Sequence, residues 1–170
     1  MKKLALLLAA LVAPLPAAAQ QLPPASAAVK QGVQNGFTSC AAPLDTAVQV
    51  VHGQDEAYAF VGTWSQRNPD AEAYNALTSQ RYPDGHGLAS LTGVKAASGK
   101  CNVVFTQALV VPEKTCEALR KEVFAEWKFY VNLSGVNTYE DPTSSDVSVS
   151  LLPVSKTGCL VFKQGVLYAP

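Results

Sequence analysis

The sequence predicts an α+β domain: a mainly antiparallel sheet of five or six strands, two helices on one face and two disulfides. Three observations predict it. Apolar residues alternate at period two through much of the second half, as half-buried strands require. Two stretches instead space them at helical intervals. Four cysteines, with no C-x-x-C pair, follow a segment that reads as an export signal.

That segment is residues 1–19. Lys2 and Lys3 supply the positive start, Leu4 to Ala13 the short apolar core, and Ala17-Ala18-Ala19 the small residues before a cut at Gln20. A spanning helix needs roughly twenty apolar residues, and this run is about half as long. The remainder, 20–170, reads as a single domain large enough for its own core. Intact-mass analysis of the exported protein checks this. The expected N-terminus is Gln20, and retained Lys2 and Lys3 would contradict it.

The first helix is read over Ser26 to about Thr38. Val29, Val33 and Phe37 stand four residues apart, and Ser26 is the N-cap candidate. Pro43 to His52 suits either a helix or a strand. Ala57 to Trp64 reads as a strand with Tyr58, Phe60 and Trp64 on one face. Asn68-Pro69-Asp70 has the form of a helix start, so a short helix is expected to end near Gln80. Tyr82-Pro83-Asp84-Gly85 is a turn. Leu88 to Val94 and Cys101 to Val111 are strands, the second stopped by Pro112. Thr115 to Trp127 is the main helix, burying Cys116, Leu119, Val123, Phe124 and Trp127. Strands follow at Phe129–Leu133, Val147–Leu151 and Leu160–Tyr168.

In an oxidising compartment four cysteines pair. A strand from Cys101 to Val111 is about 33 Å long, which separates Cys101 from Cys116. Following helix and strands back and forth brings Cys159 to the Cys101 end. The expected pairing is therefore Cys101–Cys159 with Cys40–Cys116. The runner-up, Cys40–Cys101 with Cys116–Cys159, follows if one late strand is misread, because a lost strand reverses the next.

Composition excludes several functions. Thirteen basic residues balance thirteen acidic ones, which is not the footprint of a nucleic-acid binder. Two histidines and widely spaced cysteines do not make a zinc site. Phosphate-loop and nucleophile-elbow patterns are absent, and no cofactor is implied. No integral membrane segment remains after cleavage.

The richest polar stretch, Ser65 to Gly87, reads as a loop, where functional residues concentrate. Its binding candidates are Trp64, Arg67, Arg81, Tyr82, Asp84 and His86. The expected function is an exported, non-catalytic binding, accessory or inhibitor domain of a bacterial periplasm or envelope, or a secreted one. Its partner would be an envelope or extracellular protein or a small ligand. The alternatives are a small secreted hydrolase using His86 as base beside Asp84, and a structural envelope component. Arg67→Ala, Arg81→Ala and His86→Ala are each expected to change stability by less than about 0.5 kcal/mol while weakening partner binding. Thermal melts beside a binding assay check this, and a large loss of stability with intact binding would contradict it.

Overall fold

The computed structural model describes residues 26–53, 58–83 and 85–168. The expected signal segment, the residues just after it, and Asp84 lie outside them. The class is α+β as expected, with more elements. Among the described residues eight strands form one antiparallel sheet, with three helices and two disulfides.

In chain order the elements are α1 (Ala27–Gln34), α2 (Ala41–His52), β1 (Tyr58–Trp64), β2 (Tyr74–Tyr82), β3 (Gly85–Lys95), β4 (Cys101–Val111), α3 (Cys116–Glu122), β5 (Lys128–Leu133), β6 (Val136–Asp141), β7 (Ser144–Pro153) and β8 (Cys159–Tyr168). The sheet order is β1-β2-β3-β4-β8-β7-β6-β5. Two hairpin runs therefore meet where β8 pairs with β4, Val111 opposite Cys159 and Asn102 opposite Tyr168.

All three helices lie on one face. α2 crosses β3, β4 and β8, α1 sits on β1, and α3 on β7. Ser26 caps α1 by accepting from the Val29 N–H, and Thr115 caps α3 through Ala118. Beneath α1 and α2, Leu44, Ala47, Phe37, Tyr74, Leu91, Val103 and Phe105 form the main core. A second cluster under α3 joins Leu119, Val149, Leu151 and Cys159, and Trp127 packs against both. No described helix is long and apolar enough to cross a membrane.

Four expectations are corrected. The helix from Asn68 to Gln80 is a turn followed by β2, because Asp70 does not serve a local first turn. Its carboxylate reaches across the chain to the entrance of α2, accepting from the Thr38 N–H (2.7 Å), the Ser39 N–H (2.7 Å) and the Ser39 hydroxyl. The supposed loop from Ser65 to Gly87 is consequently mostly the β2–β3 hairpin, with Tyr82 opposite Gly85. The helix starting near Thr115 stops at Glu122 and does not reach Trp127.

The fourth correction concerns the disulfides. Cys40 bonds Cys101 (Cα–Cα 5.2 Å) and Cys116 bonds Cys159 (5.0 Å). The expected Cys101–Cys159 and Cys40–Cys116 pairing fails because β6, whose sequence carries no apolar alternation, adds one strand to the count. Counting β6 reverses every later direction and carries Cys159 to the Val111 end of β4, beside Cys116.

The Asp70 clasp has a pH signature. The Ser39 hydroxyl, then the Ser39 N–H, hold the carboxyl well below the usual carboxylate range, with Thr38 and Lys95 (3.7 Å) adding and desolvation opposing. A depressed folded value stabilises the fold above the unfolded value of about 3.9. That contribution is lost as pH falls below about 4 toward and through the folded value. Asp70→Asn is expected to melt below the parent at pH 7, with the gap narrowing steadily below pH 4. A constant gap in thermal melts across that range would contradict the clasp.

Candidate functional site: an uncovered sheet face and a buried histidine cluster

Alternation along each strand gives the sheet two unlike faces. The helix-side face is the core. No described element packs on the other. On β4 the outward residues are Asn102, Val104, Thr106, Ala108 and Val110, while Cys101, Val103, Phe105 and Val111 point inward.

Cross-strand register turns the outward residues into rows. Val61 stands opposite Leu77, Leu88 opposite Ala108, and Ala108 opposite Phe162. Leu77 reaches Leu88 diagonally, since its strand neighbour Ser79 faces Leu88. An apolar band thus runs across five strands. Val61 is 58 % exposed, Leu88 56 % and Phe162 36 %. Val110, Leu160 and Leu152 extend it, again in register. Ser79, Ser90, Thr92, Thr106, Ser148 and Ser150 border the band with hydroxyls. Its centre carries no charge.

Charges stand at the margins. Arg81 of β2 faces His86 of β3 at one corner. Near the start of β7, two strands in from the β5 edge, Asp146 helps line a shallow groove of about 300 Å³ with Val104, Thr106, Ser148 and Gln164.

The helix side holds a second constellation. His52, the last residue of α2, is buried between Tyr58, whose ring stacks on it at 4.5 Å, and the inner edge of β2. Its Nδ1 lies 2.7 Å from Gln80 Oε1, and its Nε2 lies 2.7 Å from the Thr78 hydroxyl. A carboxamide oxygen only accepts, so Nδ1 carries the proton. The Tyr82 hydroxyl donates to the same Gln80 oxygen (2.7 Å), and Gln107 Nε2 donates to the Val51 carbonyl (2.9 Å). Hydroxyl, imidazole and carboxamide in series is an arrangement used to activate nucleophiles. Here Thr78 is 1 % exposed and His52 7 %. The series satisfies polar groups at the C-terminal end of α2 and ties that helix to β2.

Farther along the same face, Lys163 stands opposite both Gln107 and Val149. Burial pushes its ammonium pKa down, and the Asp141 carboxylate partly offsets this. His52→Leu is expected to cost about 1–3 kcal/mol, because partners of a buried hydrogen-bonded group lose them together. Urea denaturation reads this, and an unchanged midpoint would show the cluster to be incidental.

The structure divides the sequence-derived candidates. Trp64 ends β1 on the helix side, its ring 6.3 Å from that of Tyr74, and Arg67 lies in the exposed turn beyond it. Arg81, Tyr82 and His86 occupy the other end of the β2–β3 hairpin, about 26 Å away along β2. Arg81 and His86 share the outer face, whereas Tyr82 turns inward to Gln80. Asp84 is outside the described residues. Two features escaped the sequence reading. One is the outer apolar band, whose signal was the apolar residues on both faces of β4. The other is the bonding of Thr78, Gln80 and His52, for which no local signal exists. Among the described residues no group of histidine, cysteine and acidic side chains is placed to hold a metal. Compared with known protein families, curated proteins and solved structures, the chain matches none.

Proposed function

We propose that the chain is an exported, non-catalytic binding domain, and that the uncovered sheet face receives a protein partner. The single observation that carries this reading is the apolar band from Val61 to Phe162, continuous in register across five strands. Monomeric proteins rarely expose contiguous apolar patches beyond a few hundred Å², and larger ones mark interaction surfaces. An uncharged centre, a hydroxyl border and charges at the rim follow the usual anatomy of an interface. The two disulfides suit an oxidising compartment, in keeping with the expected export signal.

The test is capture of binding partners from native envelope extract by the immobilised mature protein. Leu88→Glu puts a charge in the centre of the band. Val33→Glu puts one on α1, at a comparably exposed apolar position on the opposite side of the molecule. The expected result is loss of capture with Leu88→Glu and retention with Val33→Glu. Equal capture by both variants would overturn the reading.

A further inference from the structure

We infer that the polar groove beside the apolar band binds a linear, uncharged glycan of extended, β-1,4-linked form, lying across the strands. The inference is independent of the protein-binding reading and concerns a different part of the same face.

Register builds the site. Ser90 stands opposite Thr106, Thr106 opposite Gln164, and Gln164 opposite Ser148. These outward side chains form one row across β3, β4, β8 and β7, about 4.8 Å from each to the next. Ala108 and Phe162 flank the row on one side, and Val104 and Val166 on the other, each pair again in register. The groove of about 300 Å³ thus has a polar floor between apolar walls, with Asp146 at its β7 end. Asp146 and Val166 also line a second cavity of about 470 Å³, so the two adjoin there. Tyr168, 62 % exposed, stands at the wall of that second cavity and offers a ring face to stack on.

The polar groups of the groove are unused. Nearby, facing polar side chains satisfy one another: Asn75 Nδ2 donates to the Ser90 and Thr92 hydroxyls (2.8 Å each), and the Thr138 and Ser150 hydroxyls are 2.8 Å apart. The side chains of Thr106, Ser148 and Gln164 and the Asp146 carboxylate make no hydrogen bond or ion pair with any described residue.

Their chemistry selects the ligand. Hydroxyls and a carboxamide both donate and accept, and a carboxylate accepts, which matches the hydroxyls of a sugar. The apolar walls match the C–H faces of its rings. With Asp146 as the one charge lining it, the groove lacks the field that gathers a polyanion, and a single carboxylate does not make a site for a hard cation. Along the row every strand is paired to the next, so an extended peptide finds no free backbone edge to join. A straight β-1,4-linked glycan has a repeat close to the strand spacing and sets successive rings over successive side chains of the row. A coiled α-1,4-linked glycan cannot follow it.

Backbone amide shifts of the exported protein, titrated with cellotetraose, its N-acetylated amino-sugar counterpart chitotetraose, and maltotetraose, test the inference. The expected result is shifts at Thr106, Ser148 and Gln164 with a β-1,4-linked tetrasaccharide and none with maltotetraose. Comparing the first two tells whether the glycan carries acetamido groups. Gln164→Ala and Thr106→Val are each expected to weaken binding about tenfold, the equivalent of one hydrogen bond. Thermal melts establish that each variant is folded. Absence of shifts with both β-1,4-linked probes at about 10 mM, well above a millimolar dissociation constant, overturns the inference. So do equal shifts with maltotetraose, or binding that neither variant weakens. Capture of a protein partner is read separately, so either conclusion can fail without the other.

Discussion

A variant with Cys40 and Cys101 both replaced by alanine is expected to melt roughly 10 °C below the parent. The bond joins residues separated by 61 positions. Closing a loop of that length in the unfolded chain is worth about 4 kcal/mol on the chain-entropy account. For a domain of this size each kcal/mol moves the midpoint by about 2–4 °C. The location adds to the effect. Cys40 and Cys101 are both in the main core, and the bond fixes the start of α2 to the start of β4. The Cys116–Cys159 bond closes a comparable separation of 43, and the Cys116→Ala, Cys159→Ala variant that lacks it is expected to lose nearly as much. Non-reducing peptide mapping accompanies the melts. Cys40 linked to Cys101 and Cys116 linked to Cys159 is the expected map, and Cys40 linked to Cys116 would contradict the strand order.

The second large effect is expected at Tyr74. Its side chain is fully buried, its ring is stacked on Phe37 at 5.1 Å, and its hydroxyl donates to the Ala28 carbonyl at 2.9 Å. It joins β2 to α1 and to the segment entering α2. Tyr74→Ala is expected to cost about 3–5 kcal/mol, the range for emptying a buried aromatic site. Tyr74→Phe keeps the ring and loses only the hydrogen bond, so about 1 kcal/mol is expected. Urea denaturation of both separates packing from hydrogen bonding. Equal costs would mean that the hydroxyl, not the ring, holds α1 to the sheet.

What the sequence disclosed follows from where each signal resides. β4 was legible because its inward residues Val103, Phe105 and Val111 are apolar and alternate, and β8 was legible from Leu160, Phe162, Val166 and Tyr168, which share a face that proves to be the outer one, Lys163 and Gly165 interrupting the inner face. α1 was legible from its N-cap Ser26, but it ends at Gln34 and not near Thr38, and of the expected stripe only Val29 is buried within it, Val33 being exposed and Phe37 lying beyond its end. β2 was not, because its inward face is Tyr74, Ala76, Thr78, Gln80 and Tyr82. Thr78 and Gln80 are buried through bonds to His52, 26 and 28 residues away, so polar residues occupy core positions and hide the alternation. β6, Val136–Asp141, sends Asn137 and Tyr139 to the helix side and shows no apolar period. Its omission alone reversed the disulfide pairing.

The candidate site was less legible than the fold. In the sequence Arg81 and His86 are polar residues of a stretch that reads as a loop; in the fold they are a cross-strand pair at the turn end of the β2–β3 hairpin on the outer face. The band itself is assembled from single residues on five strands, each unremarkable in its own segment. Val61, Leu77, Leu88, Ala108 and Phe162 become neighbours only through register. Register depends on strand order, and the order of a sheet whose fourth strand pairs with its eighth is not a local property.

Side-chain footprinting of the protein in its native extract, compared with the dilute purified protein, tests most directly whether the outer face is the binding surface. The predicted result is protection of Leu88, Val110 and Phe162, with Val33 on α1 and the exposed Phe129 and Tyr130 on the edge strand β5 unchanged. Protection confined to Phe129 and Tyr130, or to the Arg67 turn, with Leu88 and Phe162 labelled equally in both samples, would contradict it.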